Sequence, residues 1–272
     1  MLTLRYNYSM MHRCNQALIL AAGMGKRLSE DKPKSLIEFN GKTLLDRKIE
    51  VFNNNGFEEI IIVVGYKAEM IEDAVKKYDN VTLIYNSNYK ESQTMESISA
   101  AVPYIKYCCV QTEGDLTFDP MVIDELLLNS SNTMVHSEIK ETNSVSIPHF
   151  VNGRLNGFRR EVEYRSGIQQ PPNFVGPSHF TKNMLESMTK HNIDSDYKLL
   201  YEEAVAKAVE LDSIPLSILY YPKLRYWDLN KQEDFEKVES LIKTLDEEDS
   251  LTKGPNHLGN QNLLFHHPIL PN

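Results

Sequence analysis

Two kinds of hydrophobic pattern alternate along the first 130 residues. Residues 16–20 (QALIL) read as a buried strand running into a glycine loop. Leu45, Ile49 and Phe52 then recur at helical spacing. Thr43 stands as their N-cap with Asp46 three residues on, and Gly56 sits where a C′ glycine belongs. "EEIIIVVG" (58–65) is a continuous β-branched run, the mark of a parallel strand covered on both faces. Met70, Ala74, Val75 and Tyr78 mark one side of the next helix. "VTLIY" (81–85) predicts a strand, 94–105 a helix, and "YCCVQT" (107–112) a strand ending just before Asp115. Asp119-Pro120 supply an N-cap and N1 proline for a helix through Leu128. Four such strand–helix units in about 115 residues predict an open, mostly parallel, doubly wound (Rossmann-like) α/β sheet.

The second half follows a looser pattern. "PHFVNGRLNGF" (148–158) predicts a β-hairpin turning at Asn152-Gly153. Strands near 173–180 and 216–221 alternate with helices at 181–190 and 197–209. A last amphipathic helix, 231–245, carries Phe235, Val238, Leu241, Ile242 and Leu245. The predicted organisation is an extension (1–14), one domain (15–246) and a mobile tail (247–272). The domain divides into a first half to about residue 130 and a second half that contains the hairpin.

Composition narrows the function. The 272 residues carry a formal net charge of -9, which argues against nucleic acid as a bulk partner. No stretch approaches the roughly 18 apolar residues of a membrane helix, and the N-terminus lacks a signal-peptide apolar region. The three cysteines, two of them adjacent, form neither a disulfide framework nor a metal-ligand spacing, which suits a cytoplasmic protein. Adjacent His266 and His267 in the tail are a weak metal signal.

The glycine loop, "LILAAGMGKRLSEDKPKSL" (18–36), holds the candidate chemistry. A Walker loop needs glycine five residues before the Gly25-Lys26 pair, where Leu20 stands. A dinucleotide fingerprint needs a small residue three after Gly25, where Leu28 stands. What fits is a loop that wraps a nucleoside triphosphate with glycine amides and adds cations for a leaving pyrophosphate. Gly23 and Gly25 let the backbone approach the phosphates, and Lys26 and Arg27 offset their charge. Pro33 stiffens the segment so that Lys34 projects at a fixed point, suited to the α-phosphate. Asp115 and Asp228, each at a strand end, are carboxylates able to hold Mg²⁺ together with triphosphate oxygens. The alternative role is a helix cap or turn residue for Asp115 and the N-cap of the last helix for Asp228, and the loop upstream favours the metal role. Glu113 is either a partner behind them or a solvated side chain.

"LAAGMGKRL…PKSL" resembles the signature of the nucleotidyltransferases that join a nucleoside triphosphate to a sugar phosphate or small phosphorylated alcohol. "EFNGKTLLDRKIEVFNNNGFEEIIIVVGYKAEMI", "LIYNSNY" with Ser92-Gln93-Thr94, "EGDLTF" and "YWDLNKQEDFEKVESL" continue the likeness in order over residues 16–245. Within that superfamily the chain looks most like phosphocholine cytidylyltransferases and the enzymes that activate aminoalkyl phosphonates. The resemblance implies CTP as donor and Mg²⁺ as cofactor, held by Asp115 and Asp228. It puts Lys34 at the α-phosphate and Arg27 at the β and γ phosphates as the catalytic cations. Leu20, Ala21, Ala22, Gly23, Met24, Gly25, Lys26, Gln93, Thr94 and Gly114 become the nucleotide site.

Choline-type members carry a tryptophan before the central hairpin, and "KETNSVSIPHF" (140–150) has none. The stretch "GFRREVEYR" (157–165) instead mixes both signs of charge. Arg159 and Arg160 are candidates for an acceptor phosphate or phosphonate, Glu161 or Glu163 for its amine, and Trp227 for a neighbouring contact. Each of these charged residues could as well be a solvated hairpin edge. The expected function is an Mg²⁺-dependent cytidylyltransferase acting on a small phosphorylated or phosphonylated acceptor. The alternatives are a sugar-1-phosphate or inositol-phosphate nucleotidyltransferase, or a regulatory module that binds nucleotide without turnover.

Overall fold

The computed structural model describes residues 14–25, 28, 31–129, 131–138, 146–151, 154–159 and 173–252. Its centre is a seven-stranded sheet. In chain order the elements that build it are β1 (Gln16–Ala21), the short β2 (Glu38–Phe39) and β3 (Lys42–Thr43), α1 (Leu44–Asn54), β4 (Glu59–Val64), α2 (Ala68–Val75), β5 (Val81–Tyr85), α3 (Thr94–Ala101) and β6 (Cys108–Glu113). There follow β7 (Leu116–Phe118), α4 (Met121–Leu127), β8 (Thr133–Ser137), β9 (Ile147–Val151), β10 (Arg154–Arg159), β11 (Asn173–Thr181), α5 (Lys182–Asp194), α6 (Tyr201–Leu211), β12 (Ser217–Tyr220), β13 (Tyr226–Asp228) and α7 (Asp234–Thr252).

The sheet order is β12-β8-β11-β6-β1-β4-β5, and only β11 runs against its neighbours. The doubly wound expectation holds, with one addition. Strands β8, β11 and β12 belong to the second half of the sequence yet extend the same sheet, so both halves share one core.

Alternation along β1 explains the two helical layers. Ala17, Ile19 and Ala21 face α1, α2 and α4 through Ile49, Phe52, Ile71, Val75 and Val122. Leu18 and Leu20 face α3, α5 and α6 through Met95, Ile98, Met184, Met188 and Val205. Caps fix the helix ends. Thr43 Oγ1 accepts from Asp46 N–H at 2.9 Å. At the other end of α1, Phe57 N–H returns to Phe52 C=O and Gly56 N–H to Asn53 C=O, with Gly56 at φ +75°, a Schellman stop.

Several boundaries differ from the sequence reading: the helix expected over 197–209 starts at Tyr201 and the one expected over 181–190 runs to Asp194, and three further cases have a local cause or consequence. The helix expected over 94–105 changes to a 3₁₀ turn at Val102–Tyr104, because Pro103 has no N–H to continue it. Strand β6 takes in Glu113, one residue past its expected end. Helix α7 starts at Asp234 and runs to Thr252, so residues 247–252 of the expected tail are helical. Its Val238 and Ile242 pack with Ile37, Phe39, Leu44 and Leu229 in a third apolar cluster. Arg47 Nη1 holds Asp246 at 2.6 Å, tying α7 to α1. The hairpin strands β9 and β10 pair outside the main sheet with Val151 opposite Arg154, and Asn152-Gly153 lies outside the described residues. Among the described residues no helix is long and apolar enough to cross a membrane.

Candidate active site

The chain leaves β1 for β4 and β5 on one side and returns on the other as β6. At such a reversal the loops at the carboxyl ends of the strands part, and open α/β sheets bind ligands there. Leu20 C=O accepts Gly114 N–H at 2.8 Å and Ala22 C=O accepts Tyr66 N–H at 3.1 Å. These bonds join the loops after β1, β4 and β6 into one rim. The rim encloses a cleft of about 250 Å³. Leu20, Ala21, Ala22, Gly23 and Gly25 line one side, Lys34, Ser35, Gly114 and Asp115 a second, and Asn86, Tyr89, Gln93 and Thr94 a third. Gly25 has φ +57°, and a Cβ built there would stand 2.8 Å from Lys34 Cγ. Glycine is needed both for the turn and for the lysine stem to lie against it.

Lys34 opens a 3₁₀ turn at Lys34–Leu36, directly after Pro33. Its Nζ donates to Asp115 Oδ2 at 2.8 Å and to Asn230 Oδ1 at 3.2 Å. Asp228 reaches the same place through backbone pairing. It lies opposite Leu116 in the β13–β7 ladder, and the next residue, Leu229, donates its N–H to Asp115 C=O at 3.1 Å. Two aspartates far apart in sequence are thus held at adjoining strand ends.

The electrostatics hold carboxyl groups back from ionising here. Burial, then the Asp115 carboxylate, push Asp228 up to about 7, against the pull of Lys34 and Lys48. Burial, then Asp228, push Glu113 up to about 8. Lys48, on α1, is buried beneath the rim, with Nζ donating to Gly114 C=O at 3.2 Å and to Leu116 C=O. Burial lowers it to about 8 while Asp115, Glu113 and Asp228 draw it the other way. The buried Tyr201 hydroxyl makes no hydrogen bond of ordinary geometry, yet Glu113 is close enough to help raise it well above its usual range, after burial itself. Three carboxylates therefore face two ammonium groups in a poorly solvated pocket. An all-oxygen donor set whose ionised form a cation would stabilise is chemically suited to a hard divalent cation.

The structure brings together most of the residues singled out in the sequence. All of Leu20, Ala21, Ala22, Gly23, Gly25, Lys34, Gln93, Thr94, Gly114 and Asp115 line the cleft. Asp228 adjoins them through Asp115, and Met24 lies within the loop but outside the lining. Trp227 is turned elsewhere, as strand alternation requires when Asp228 faces the site. Its Nε1–H donates to Asp234 at 3.1 Å, and Lys237 Nζ lies 4.3 Å from its ring centre. Arg159 closes β10. Lys26, Arg27, Arg160, Glu161 and Glu163 lie outside the described residues. Sequence reasoning missed Lys48, Tyr201 and Asn230. A lysine among the apolar positions of α1 was the one available signal. Glu113, left open before, lines the cleft beside Asp115.

A glycine loop, an anchored lysine and paired carboxylates at a switch point define a nucleotide-binding enzyme of the phosphoryl-transfer class. Residues 17–206 match the model of the MobA-like NTP transferase domain. The chain belongs to that family and is a nucleotidyltransferase. It is 27% identical over 237 residues to the choline-phosphate cytidylyltransferase of Haemophilus influenzae, covering 86% of this chain and 89% of the relative. It is 37% identical over 93 residues to the 2-aminoethylphosphonate cytidylyltransferase of Lancefieldella rimae, covering 33% and 38% respectively. In fold it is similar to the CTP:phosphocholine cytidylyltransferase of Streptococcus pneumoniae, with a TM-score of 0.68 at 19% identity, covering 84% of this chain and 98% of that one. The inositol-1-phosphate CTP transferase of T. maritima has a TM-score of 0.72 at 18% identity, covering 86% and 97%.

Proposed function

We propose that this nucleotidyltransferase transfers a cytidylyl group from CTP to a small phosphorylated or phosphonylated amine, releasing pyrophosphate. The observation that carries the reaction type is the contact of Lys34 with Asp115, beside Asp228, at the mouth of the cleft. Cytidylyl transfer is supported by the relatives named for it.

The acceptor's phosphate or phosphonate oxygen attacks the α-phosphorus in line, and pyrophosphate leaves. That nucleophile is already ionised at neutral pH, so no general base is needed. Catalysis reduces to positioning and charge stabilisation. Lys34 exchanges its bond to Asp115 for the α-phosphate oxygen. The loop at 22–25 and the start of α3 at Gln93 and Thr94 orient the nucleotide. Arg27 offsets the charge of the departing pyrophosphate. Asp115 and Asp228 would hold Mg²⁺, which when bound supplies Lewis-acid polarisation of the triphosphate oxygens.

For the acceptor, Arg159 and Arg160 are assigned to the anionic group and Glu161 or Glu163 to the amine, because a buried zwitterion needs both counter-charges. Incubating the protein with CTP, a divalent cation and 2-aminoethylphosphonate, then weighing the product by mass spectrometry, tests the reading. A CMP adduct supports it. Unchanged CTP with every phosphorylated or phosphonylated amine rejects it.

A further inference from the structure

The end of the sheet opposite the cleft carries chemistry of its own. Cys14 lies just ahead of β1, Cys108 opens β6, and His179 stands on β11 opposite Val110. Cys108 and Val110 are two residues apart on one strand, so Cys108 and His179 share a face. One ligand atom from each of Cys14, Cys108 and His179 lies within 4.8 Å of the others. The cysteine count had indicated no metal-ligand spacing. That spacing is absent from the sequence because the two cysteines meet only where β1 and β6 are sheet neighbours.

The details favour a ligand set over ordinary core packing. Cys14 is 7% exposed and His179 2%. Cys14 Sγ reaches Gln16 C=O at 3.8 Å and also contacts Cys108. His179 Nδ1 lies 2.9 Å from Ser131 C=O, a bond that requires the proton on Nδ1. The Nε2 lone pair is then the one available for a metal, the arrangement that metal-ligating imidazoles use to fix their tautomer.

We propose that Cys14, Cys108 and His179 form a second metal site, separate from the cleft, for a thiophilic tetrahedral cation, Zn²⁺ foremost, with water as the fourth ligand. Two thiolates and a neutral imidazole balance a divalent charge, so the ion can be buried without an unpaired charge. At Zn–S near 2.3 Å and Zn–N near 2.0–2.1 Å, tetrahedral ligand atoms stand about 3.6–3.8 Å apart, so the cluster needs to contract by about 1 Å or less. The three ligand positions are buried, and Cys108 is the most open of them as a whole residue. A redox pair is the weaker reading, because the hydrogen bond with Cys108, and then burial, disfavour the isolated Cys14 thiolate that an oxidant would need. A bound cation supplies the missing counter-charge. The ion would staple the start of β1 to β6 and β11.

The test uses the full chain, reduced, stripped of metal and held in excess Mg²⁺, and titrates it with Co²⁺. One equivalent is expected to develop a thiolate-to-cobalt charge-transfer band with four-coordinate d–d absorption, both displaced by one equivalent of Zn²⁺. Cys14→Ser and Cys108→Ser should each lose the band. Cys109→Ala should keep it, since that sulfur packs in the cluster on the other face. His179→Gln should weaken Zn²⁺ binding at least tenfold. If the serine variants fail to fold, the wild-type titration still decides, together with a rise in its Tm on adding Zn²⁺. Absence of a sulfur band at one equivalent, or its survival in folded Cys14→Ser or Cys108→Ser, overturns the proposal.

Discussion

Lys34 donates to Asp115 across 2.8 Å although 81 residues separate the two in the chain. The contact joins the segment after the glycine loop to the end of β6. It also presents a cation on the cleft wall, 14% exposed along its side chain. A lysine held in this way is preorganised for charge that develops during reaction. Lys34→Ala is expected to lower kcat by two or more orders of magnitude, roughly 3 kcal/mol, in a protein that still folds. Near-normal kcat in folded Lys34→Ala would remove it from the mechanism.

Asp228 is expected to trade stability for function. Its carboxyl is pushed up to about 7, first by burial and then by Asp115, so its charged form is disfavoured where it stands. Asp228→Asn should lose most activity and raise the divalent-cation requirement, because an amide is a poor ligand for a hard cation. Its melting temperature should equal or exceed that of the wild type. Asp115→Asn should share the loss of activity. Wild-type rates for Asp228→Asn at limiting Mg²⁺ would return that residue to a purely structural role.

Gly176 backs the carboxylates from β11. It has φ +112°, and a Cβ there would stand 2.6 Å from Leu116 Cδ2 and 2.7 Å from Glu113 Oε2. Gly176→Ala combines a strained backbone with a clash, and should cost about 1–3 kcal/mol in urea unfolding. A loss under about 0.5 kcal/mol would contradict both the strain and the clash.

His136, on β8, gives a pH signature from a residue that does not line the cleft. It is buried, 1% exposed, beside the Phe174 ring. Burial lowers it from 6.5 to about 4. The unfolded chain therefore binds this proton more readily than the folded one. The contribution is complete above about pH 6.5 and is lost as pH falls towards 4. Between pH 7 and 4.5 the wild type should lose about 2–3 kcal/mol more stability than His136→Gln. Parallel urea titrations at the two pH values check this, and equal losses would contradict it.

The fold was legible where the signal is local. The run at 58–65, the Thr43 cap and the Gly56 stop follow from periodicity and backbone preference alone, and all three stand in the structure. Lys34 and Asp115 were legible because short motifs place them next to a glycine loop and a strand end. Lys48 was not, since a lysine on an amphipathic helix ordinarily faces water. Only the β6–β7 carbonyls that it meets explain its burial. Tyr201, Asn230 and the Cys14–Cys108–His179 cluster were hidden for the same reason. Each depends on sheet order, which no local pattern encodes.

The central claim is cytidylyl transfer to a small amine-bearing phosphate or phosphonate, and kcat/KM from pyrophosphate release tests it most directly. CTP, UTP, dTTP and ATP would each be paired with 2-aminoethylphosphonate, phosphoethanolamine, phosphocholine, glucose 1-phosphate and inositol phosphate. The account predicts that CTP with one of the two primary-amine acceptors gives the highest value, ahead of phosphocholine and well ahead of both the sugar and the inositol phosphate. A clear preference for glucose 1-phosphate or inositol phosphate, or for a nucleotide other than CTP, would contradict it.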